Sequence, residues 1–408
     1  IRRPPRSTQS RSSAASDVYK RQILILIPLV SFGQEITEQY WQKGNLHAHS
    51  FWSDGDDFPE MIIKWYKNND YQFIALSDHN TMASRDYWYK LKKKDNQNKV
   101  LEKYQKSLGD WVETKIDSSG TFVRLKTFKE YQSKLEDPNS FLVIQSEEVT
   151  SSFKNKPVHI NVTNIKEKIE PFKGNSVYDV MQRTLDEVHA QRKKFNIPMF
   201  AHINHPNFGY GINVEDLKKL NGERFFELYN GHPSVNNEGD DMHMDLETMW
   251  DLINISYYND NKPLLLGIAT DDSHNYHVKS ENNSNTGRGW VMVNSQKLDT
   301  ESLINAMETG QFYSSSGIVL KTVYSDNKKL SLEIEPKKGI IYEIIFIGYR
   351  KGSFNIEELK RVKGNSSSYT FDEDDLFVRA KINSTDLKEY PYRLGETKQA
   401  WVQPVIVR

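Results

Sequence analysis

Two histidines one residue apart, in the stretch Gly44-Asn45-Leu46-His47-Ala48-His49, are the most informative feature of this sequence. On an extended strand, residues i and i+2 point to the same face, so both imidazoles can bind one cation. Further His, Asp and Glu residues follow short apolar runs downstream, namely Asp78-His79, Glu147-Glu148, His202 with His205, and Asp271-Asp272-Ser273-His274. This order is expected where several strands of one sheet deliver ligands to one edge. The sequence therefore predicts a metal site built from many strand ends.

Composition limits the classes of protein and of site. The chain has 408 residues, no Cys, 54 Lys and Arg, and 55 Asp and Glu. This length exceeds what one hydrophobic core usually serves, so we expect one large domain and a smaller one. The near-zero net charge offers no basic footprint, so we expect a small-molecule partner, with no nucleic acid and no stable membrane association. Without thiolates, a metal site must use His and carboxylates, which favour Zn, Mn or Fe. Oligomeric state stays open.

We interpret the N-terminal region as a targeting or non-native sequence. Residues 1–22 are rich in Arg, Ser and Pro without apolar periodicity, and we interpret them as a non-native leader. The apolar run that follows is too short to span a bilayer and ends in Ser31-Phe32-Gly33. Residues 23–33 therefore predict the remnant of a secretory signal, and with it a periplasmic or secreted protein. A buried strand at the start of the domain is the alternative.

From residue 41 to residue 316, short apolar runs alternate with amphipathic stretches, which is typical of β/α units. Helices are predicted to open at Pro59 and to cover residues 176–195 and 245–258. The predicted strands are 73–77, 141–145, 158–162, 198–203, 225–229, 264–270 and 289–293. Seven or eight such strands indicate an α/β fold, a closed or nearly closed β/α barrel with its site at the carboxyl ends of the strands.

Two segments depart from this alternation. Residues 85–140 are strongly charged and predict a helical insertion, either a lid over the barrel mouth or a solvated excursion without a role. After Gly317, alternating apolar and polar residues predict a C-terminal antiparallel β domain, a small sandwich, over residues 325–408.

Nine residues are candidate metal ligands, more than one site can use: His47, His49, Asp54, His79, Glu148, His159, His205, Asp272 and His274. Their motifs, in order along residues 41–316, resemble those of the PHP (polymerase and histidinol phosphatase) metal-dependent hydrolases: His47-Ala48-His49, Ser53-Asp54-Gly55, Ser77-Asp78-His79-Asn80, Glu148, His159, Asn204-His205-Pro206 and Asp272-Ser273-His274. Longer strings are similar to the branch that includes carbaryl hydrolases: Glu227-Leu228-Tyr229-Asn230-Gly231, the stretch 267–274 and the stretch 310–317.

The resemblance implies a distorted (β/α)7 barrel with two to three divalent metal ions. It implies one ion held by His47, His49, Glu148 and Asp272, with Glu148 bridging to a second ion held by His159 and His205. A third would be held by Asp54, His79 and His274. Asp54 stands where many family members have His, which implies a weaker site or a harder cation.

Two adjacent pairs of acidic residues leave one-residue ambiguities. We choose Glu148 over Glu147 because Val149-Thr150 follows it as in the family motif. We choose Asp272 over Asp271 because its i+2 spacing to His274 repeats that of the first histidine pair.

The predicted activity is hydrolysis by a metal-activated hydroxide, with a small phosphoester as the substrate. The alternatives are a carbamate or ester hydrolase on the same scaffold, or a non-catalytic protein that binds a glycan or surface polymer. His202 and His232 are candidates to protonate the leaving group, each with the alternative of a hydrogen-bonded histidine that supports a ligand. Arg288 is a candidate to bind an anionic substrate group, or else to pair with a barrel carboxylate.

Overall fold

A computed structural model of the protein describes residues 39–92 and 96–408. The predicted leader (residues 1–22) and signal remnant (residues 23–33) lie outside the described residues. Gln39–Arg408 forms one compact unit. Across the described ranges, no helix is long and apolar enough to cross a membrane.

The described residues contain nineteen strands and seven helices. The strands are β1 (Trp41–Asn45), β2 (Phe73–Leu76), β3 (Tyr87–Lys90), β4 (Thr114–Asp117), β5 (Gly120–Leu125), β6 (Leu142–Phe153), β7 (Lys156–Thr163), β8 (Phe200–Ile203), β9 (Phe225–Asn230), β10 (Leu266–Thr270), β11 (Trp290–Asn294), β12 (Phe312–Ser315), β13 (Leu320–Ser325), β14 (Lys329–Ile334), β15 (Tyr342–Arg350), β16 (Ile356–Lys363), β17 (Ser366–Thr370), β18 (Asp375–Leu387) and β19 (Thr397–Ile406). The helices are α1 (Pro59–Lys67), α2 (Gln97–Leu108), α3 (Phe128–Leu135), α4 (Val177–Phe195), α5 (Val214–Lys218), α6 (Leu246–Asn259) and α7 (Thr300–Glu308).

Seven neighbouring strands, in the order β10-β9-β8-β7-β6-β2-β1, form the barrel wall. Six of them run in one direction, and β7 is antiparallel to both its neighbours. A parallel bridge between Ala48 and Ser273 joins the chain just after β1 to the chain just after β10, so the strands surround a common interior. The seven predicted strands correspond to β2 and to β6 through β11 and are confirmed. Six of them agree with the observed bounds to within two residues, whereas β6 extends eight residues beyond its predicted end at residue 145. The predicted α/β fold class, with a C-terminal antiparallel β region, is also confirmed.

The direction of β7 differs from the predicted alternation of strand and helix. Two residues, Lys154 and Asn155, separate β6 from β7. A parallel connection needs a dozen or more residues, whereas two suffice for a hairpin. Lys154 adopts a left-handed conformation with φ 55°, as a tight turn requires.

Helices close the outside and one end of the barrel. Ser176 caps α4 by accepting a hydrogen bond from the Asp179 N–H, and the apolar face of this helix packs on the strands around Val158 and Ala201. Helix α7 places Leu303, Ile304 and Met307 against interior side chains from several barrel strands. Burying each such side chain stabilises the fold by about 1.5–3 kcal/mol. The amino end of the barrel is thus filled with apolar residues, and polar side chains concentrate at the other end.

The insertion contains more sheet than the charge pattern predicts. Residues 85–140 hold α2 and α3, but also a three-stranded antiparallel sheet in the order β3-β5-β4. The strands coincide with aromatic and β-branched runs such as Tyr87-Trp88-Tyr89, which favour extended structure over helix. The insertion is fastened to the helix α1 region, since the ring of Tyr104 stacks on Phe58 at 4.1 Å and its hydroxyl donates to buried Glu60.

The C-terminal strands continue the barrel sheet. Beyond β11 the same sheet runs β12-β19-β18-β15-β16, and a second sheet, β13-β14-β17, faces it across an apolar core. Arg379 of β18 donates two hydrogen bonds of 2.6 Å to Asp251 of α6, both residues being buried. A bidentate, charge-assisted contact of this kind fixes the sandwich sheet to the outer helices of the barrel.

Candidate metal centre

The nine predicted ligands lie together at the carboxyl end of the barrel. They form four overlapping groups in which the possible ligand atoms lie within 4.8 Å of one another, and a fifth group of the same kind joins His47 to His202 and Glu227. Each comes from a different position of the wall: His47 and His49 directly after β1, Asp54 in the next loop, His79 after β2, Glu148 in β6, His159 in β7, His205 after β8, and Asp272 and His274 after β10. Strand ends that are distant in sequence thus meet at one place.

Glu148 lies at the centre and faces the histidines with both of its oxygens. Its Oε2 is 3.5 Å from His47 Nε2, 3.4 Å from His49 Nε2 and 2.6 Å from His79 Nδ1. Its Oε1 is 3.1 Å from His159 Nδ1 and 3.5 Å from His205 Nε2. A carboxylate in this position can bridge two cations.

Asp272 provides the second central carboxylate. Its Oδ1 is 3.2 Å from Nε2 of both His47 and His49, and its Oδ2 accepts a hydrogen bond from Asn230. Its backbone is left-handed with φ 48°, a conformation that costs a non-glycine residue energy and recurs at ligand-binding sites.

A third group forms around Asp54, whose side chain is 56 % exposed and marks the solvent side of the cluster. Its Oδ1 is 3.4 Å from His274 Nε2, and its Oδ2 is 3.6 Å from His79 Nε2. The turn that aims Asp54 depends on Gly55, because a Cβ there would lie 2.3 Å from the His49 carbonyl oxygen.

The unsatisfied polar atoms of the cluster indicate that it fits divalent cations, independently of which residue types it contains. Within residues 39–92 and 96–408, His47 Nε2, His49 Nε2, Glu148 Oε2 and His159 Nδ1 are buried and make no hydrogen bond of acceptable geometry. The short contacts of Glu148 Oε2 with His79 Nδ1 and of Glu148 Oε1 with His159 Nδ1 do not have the angles of a hydrogen bond. Leaving a buried polar atom unsatisfied costs about 1–3 kcal/mol, and such groups are rare in proteins. All four atoms face the cluster interior, where a cation would satisfy them.

Electrostatics keeps the two central carboxylates charged. Burial by itself would raise the pKa of Glu148, but His79, His47 and His159 outweigh it and hold the pKa well below the ordinary value. Burial would also raise the pKa of Asp272, but the neighbouring histidines outweigh it and hold that pKa well below its usual range. Both side chains are therefore anionic near neutral pH, which is the form that binds a cation.

The structure resolves both one-residue ambiguities by side-chain direction. Glu147 points away from the cluster, where its Oε2 accepts the Ile169 N–H at 3.0 Å and burial raises its pKa to about 7. Asp271 accepts backbone N–H groups of residues 287–289 and the hydroxyl of Tyr66. In each pair the second residue, Glu148 or Asp272, faces the cluster.

Sequence reasoning missed Glu227, a buried carboxylate of β9. Its Oε1 accepts hydrogen bonds from His47 Nδ1 at 2.7 Å and Thr270 Oγ1 at 2.8 Å, and its Oε2 accepts from the His205 N–H at 2.8 Å. The contact to His47 fixes the tautomer that leaves Nε2 free to bind a cation. One signal was available, because a Glu within an apolar strand must be paired when it is buried.

The two histidines predicted as proton donors differ in position. His202 of β8 is fully buried, with its Nε2 3.4 Å from Glu227 Oε1 and its ring centroid 6.3 Å from that of His47. His232 lies at the mouth, its ring 5.4 Å from that of His274. Its Nδ1 accepts the Ser234 N–H, so the proton resides on Nε2, and burial lowers its pKa to about 4. At neutral pH His232 is therefore a neutral N–H donor.

The prediction that Arg288 binds a substrate anion or pairs with a carboxylate is wrong. Its guanidinium is buried and donates to five backbone carbonyls, those of Gly231, Ser280, Asn283, Tyr390 and Pro391. A guanidinium has five N–H donors, so none is left for another partner. Arg288 instead ties the loops after β9 and β10 to a loop of the C-terminal region.

Comparison with known proteins gives distant structural likenesses. No protein-family model matches the chain, and no curated protein matches it. One similar solved structure is a two-domain protein of Bacteroides vulgatus that contains a predicted PHP-like metal-dependent phosphoesterase, with 13% identity, a TM-score of 0.41, and coverage of 90% of this chain and 96% of that one.

Two shorter solved structures are also similar. A protein of Bifidobacterium adolescentis assigned as a metal-dependent phosphoesterase has 11% identity and a TM-score of 0.28, with 58% and 89% of the two chains covered. An amidohydrolase of Chromobacterium violaceum, with bound sulfate and no metal, has 14% identity and a TM-score of 0.29, with 57% and 88% covered.

Proposed function

We propose that this protein is a metal-dependent hydrolase that cleaves phosphoesters. One observation carries the proposal: His and carboxylate ligand atoms from separate strand ends converge to within 4.8 Å in five overlapping groups. Such convergence is costly unless cations are bound, because it buries nitrogen and oxygen atoms without partners. A cluster of this kind, open to solvent at one end, suits binding of a substrate through its oxygens.

The proposed centre holds two to three divalent ions, Zn, Mn or Fe. His47, His49, Glu148 and Asp272 would hold one ion, His159 and His205 with Glu148 a second, and Asp54, His79 and His274 a third. The separate directions of the two Glu148 oxygens support the bridging role. When bound, these ions supply an activated hydroxide and polarise the scissile bond.

The chain's own residues orient the site and stabilise charge. Glu227 holds the ring of His47, and through the His205 N–H it also fixes a second candidate ligand. His232 offers its Nε2–H at the mouth, where it would donate a hydrogen bond to a substrate oxygen. Because its pKa is about 4, the imidazole of His232 is in its neutral form near neutral pH, so we assign it oxyanion stabilisation rather than proton transfer.

The test is hydrolysis by the full chain, stripped of metal with a chelator and reloaded separately with Zn, Mn or Fe. We expect turnover of 4-nitrophenyl phosphate or bis(4-nitrophenyl) phosphate that is lost on stripping and restored by reloading. Turnover of 1-naphthyl methylcarbamate alone would make the protein a carbamate hydrolase. Absence of any metal-dependent turnover, with fewer than two metal equivalents bound, would contradict the proposal.

A variant pair tests the role of His232. His232→Gln keeps a neutral N–H donor but displaces it, so we expect kcat to fall roughly tenfold or more with metal content unchanged. His243→Gln is the matched control, because His243 is bonded to Asp240 in a loop outside the ligand cluster. An equal effect of both substitutions would remove the assigned role.

A further inference from the structure

A cleft lies where the barrel meets the C-terminal sandwich, and we call it the junction cleft. Its volume is about 510 Å³, and residues of β9, α6, β18 and β19 line it. One wall consists of Arg379 and Lys381 of β18 with Gln399 and Trp401 of β19, two neighbouring strands on which alternate residues face the same side. Among the described residues that line this cleft, none belongs to a ligand group of the metal centre, so the junction cleft is a separate site.

Two hydrogen-bond donors on this wall have no acceptor within the described part of the chain. Both side chains are buried, and the donor atoms are Arg379 Nη1 and Trp401 Nε1. The other two nitrogens of the Arg379 guanidinium are occupied, since Nε and Nη2 each donate to Asp251 at 2.6 Å. A buried donor without an acceptor costs about 1–3 kcal/mol, and such donors are rare in proteins. A molecule that presents oxygen acceptors to this wall would satisfy both donors.

The charges of the junction cleft disfavour an ionic ligand. Its three cations form ion pairs, namely Arg379 with Asp251, Lys381 with Glu247, and Arg393 with Glu238. A fourth carboxylate, Asp245, accepts the backbone N–H and the hydroxyl of Thr248 at the start of α6. Carboxylates therefore outnumber cations by one, so an anion is repelled. A cation would leave the two buried donors without acceptors, so a neutral molecule is favoured.

Aromatic side chains accompany these polar groups. The rings of Tyr229 and Trp401 lie 5.7 Å apart, and both residues line the cleft. We propose that the junction cleft binds a neutral saccharide. The hydroxyl oxygens of the sugar accept hydrogen bonds from Arg379 and Trp401, its hydroxyl groups donate to the carboxylates of α6, and its C–H groups contact the aromatic rings. The volume of the cleft lies within the range of roughly 300–1,000 Å³ that is usual for small-molecule sites.

An array of immobilised oligosaccharides tests the class of ligand. It carries neutral oligosaccharides beside others that contain uronic or sialic acids, and it is probed with the full chain in metal-loaded and metal-stripped form. We expect neutral members to bind equally to both forms, because the junction cleft is separate from the metal centre. Binding of no neutral member would overturn the inference. Loss of binding on metal removal would also overturn it, because the saccharide would then bind at the metal centre.

A pair of variants tests the Trp401 donor, with the tightest neutral oligosaccharide of the array titrated by calorimetry. Trp401→Phe keeps an aromatic ring and removes the N–H, so its Kd should be about fivefold higher than that of the wild type. Trp290→Phe is the matched control, because the Trp290 indole N–H is also buried without a partner among the described residues but lies outside the cleft. Its Kd should equal that of the wild type.

Nuclear magnetic resonance of the wild type gives a second measurement. The indole N–H resonance of Trp401, assigned from its absence in the spectrum of Trp401→Phe, should shift when the chain is saturated with the oligosaccharide, whereas that of Trp290 should not. A stationary Trp401 resonance, or equal Kd values for the wild type and Trp401→Phe, would overturn the inference. None of these measurements uses phosphoester hydrolysis, so failure of the proposed function and failure of this inference are distinguishable.

Discussion

Replacing Glu227 by glutamine tests whether the cluster is a metal centre or a hydrogen-bonded polar core. The carboxylate accepts from His47 and Thr270 with Oε1 and from His205 and Asn230 with Oε2. An amide has one oxygen, so a glutamine side chain can serve one of these sides. Its NH₂ group then faces hydrogen-bond donors on the other side. If that side is the Oε1 side, the Thr270 hydroxyl can rotate and accept a hydrogen bond from the NH₂ group.

In Glu227→Gln, the least costly orientation of the new amide places its oxygen toward the backbone N–H of His205 and its NH₂ toward His47. The hydrogen bond from His47 Nδ1 at 2.7 Å is then lost, together with a charge-assisted interaction worth about 1.5–3 kcal/mol. Outer carboxylates of this kind change metal affinity by roughly 10- to 100-fold. We therefore expect the substitution to weaken metal binding within that range.

The assay is metal retention. Wild type and Glu227→Gln are dialysed against graded concentrations of a competing chelator, and bound metal is measured by elemental analysis. Glu147→Gln is the matched control, since Glu147 is equally buried but points toward Ile169. Retention by Glu227→Gln equal to that of the control would refute the argument that Glu227 orients a metal ligand.

Three further predictions concern stability and the third ligand group. Arg288→Met removes the donors for five carbonyls and should lower the free energy of unfolding by roughly 2–4 kcal/mol, measured by urea denaturation; an unchanged midpoint would contradict the structural role. Burial raises the pKa of Glu223 from 4.5 to about 8, so the folded protein retains a proton that the unfolded chain releases, and the free energy of unfolding falls as pH rises between those values. Glu223→Gln should flatten this pH dependence, measured by thermal unfolding from pH 5 to 8. An identical slope in variant and wild type would contradict the assignment of the dependence to Glu223. Gly55→Ala forces a Cβ against the His49 carbonyl and should reduce bound metal by about one equivalent out of three, or weaken it roughly tenfold; full retention at wild-type affinity would show that the turn adapts.

Much of the fold could be predicted because apolar periodicity reports burial directly. Runs such as Phe73–Leu76 and Leu266–Thr270 are buried at every position, as expected for strands covered on both sides. The helix beginning at Pro59 and the cap at Ser176 follow from local chemistry alone. The direction of β7 was not predicted, because the predicted strands 141–145 and 158–162 are twelve residues apart, whereas β6 and β7 are longer and are separated by two residues.

The predictions for the insertion and for Arg288 were wrong for a common reason. Charge in residues 85–140 was read as helix, although its aromatic positions pair as strands. Arg288 was interpreted as a substrate ligand because a cation near a site often binds anions, whereas its partners are carbonyls of its own loop and of two loops distant in sequence. The pairing of β3 with β5 and the contacts of Arg288 with Gly231 and Tyr390 join residues that are distant in sequence, so local sequence does not reveal them.

The order of residues along the chain establishes which chemistry is available: His and carboxylate side chains placed directly after apolar runs, without cysteine. Folding in three dimensions settles which of these side chains meet and which way each one points. Alternation along β6 sends Glu148 inward and Glu147 outward, and Glu227 gains its role from His47, 180 residues earlier. The physical reason is that burial and periodicity act over neighbouring residues, whereas a metal centre depends on distances across the barrel, which are set once the strands have adopted their order and direction.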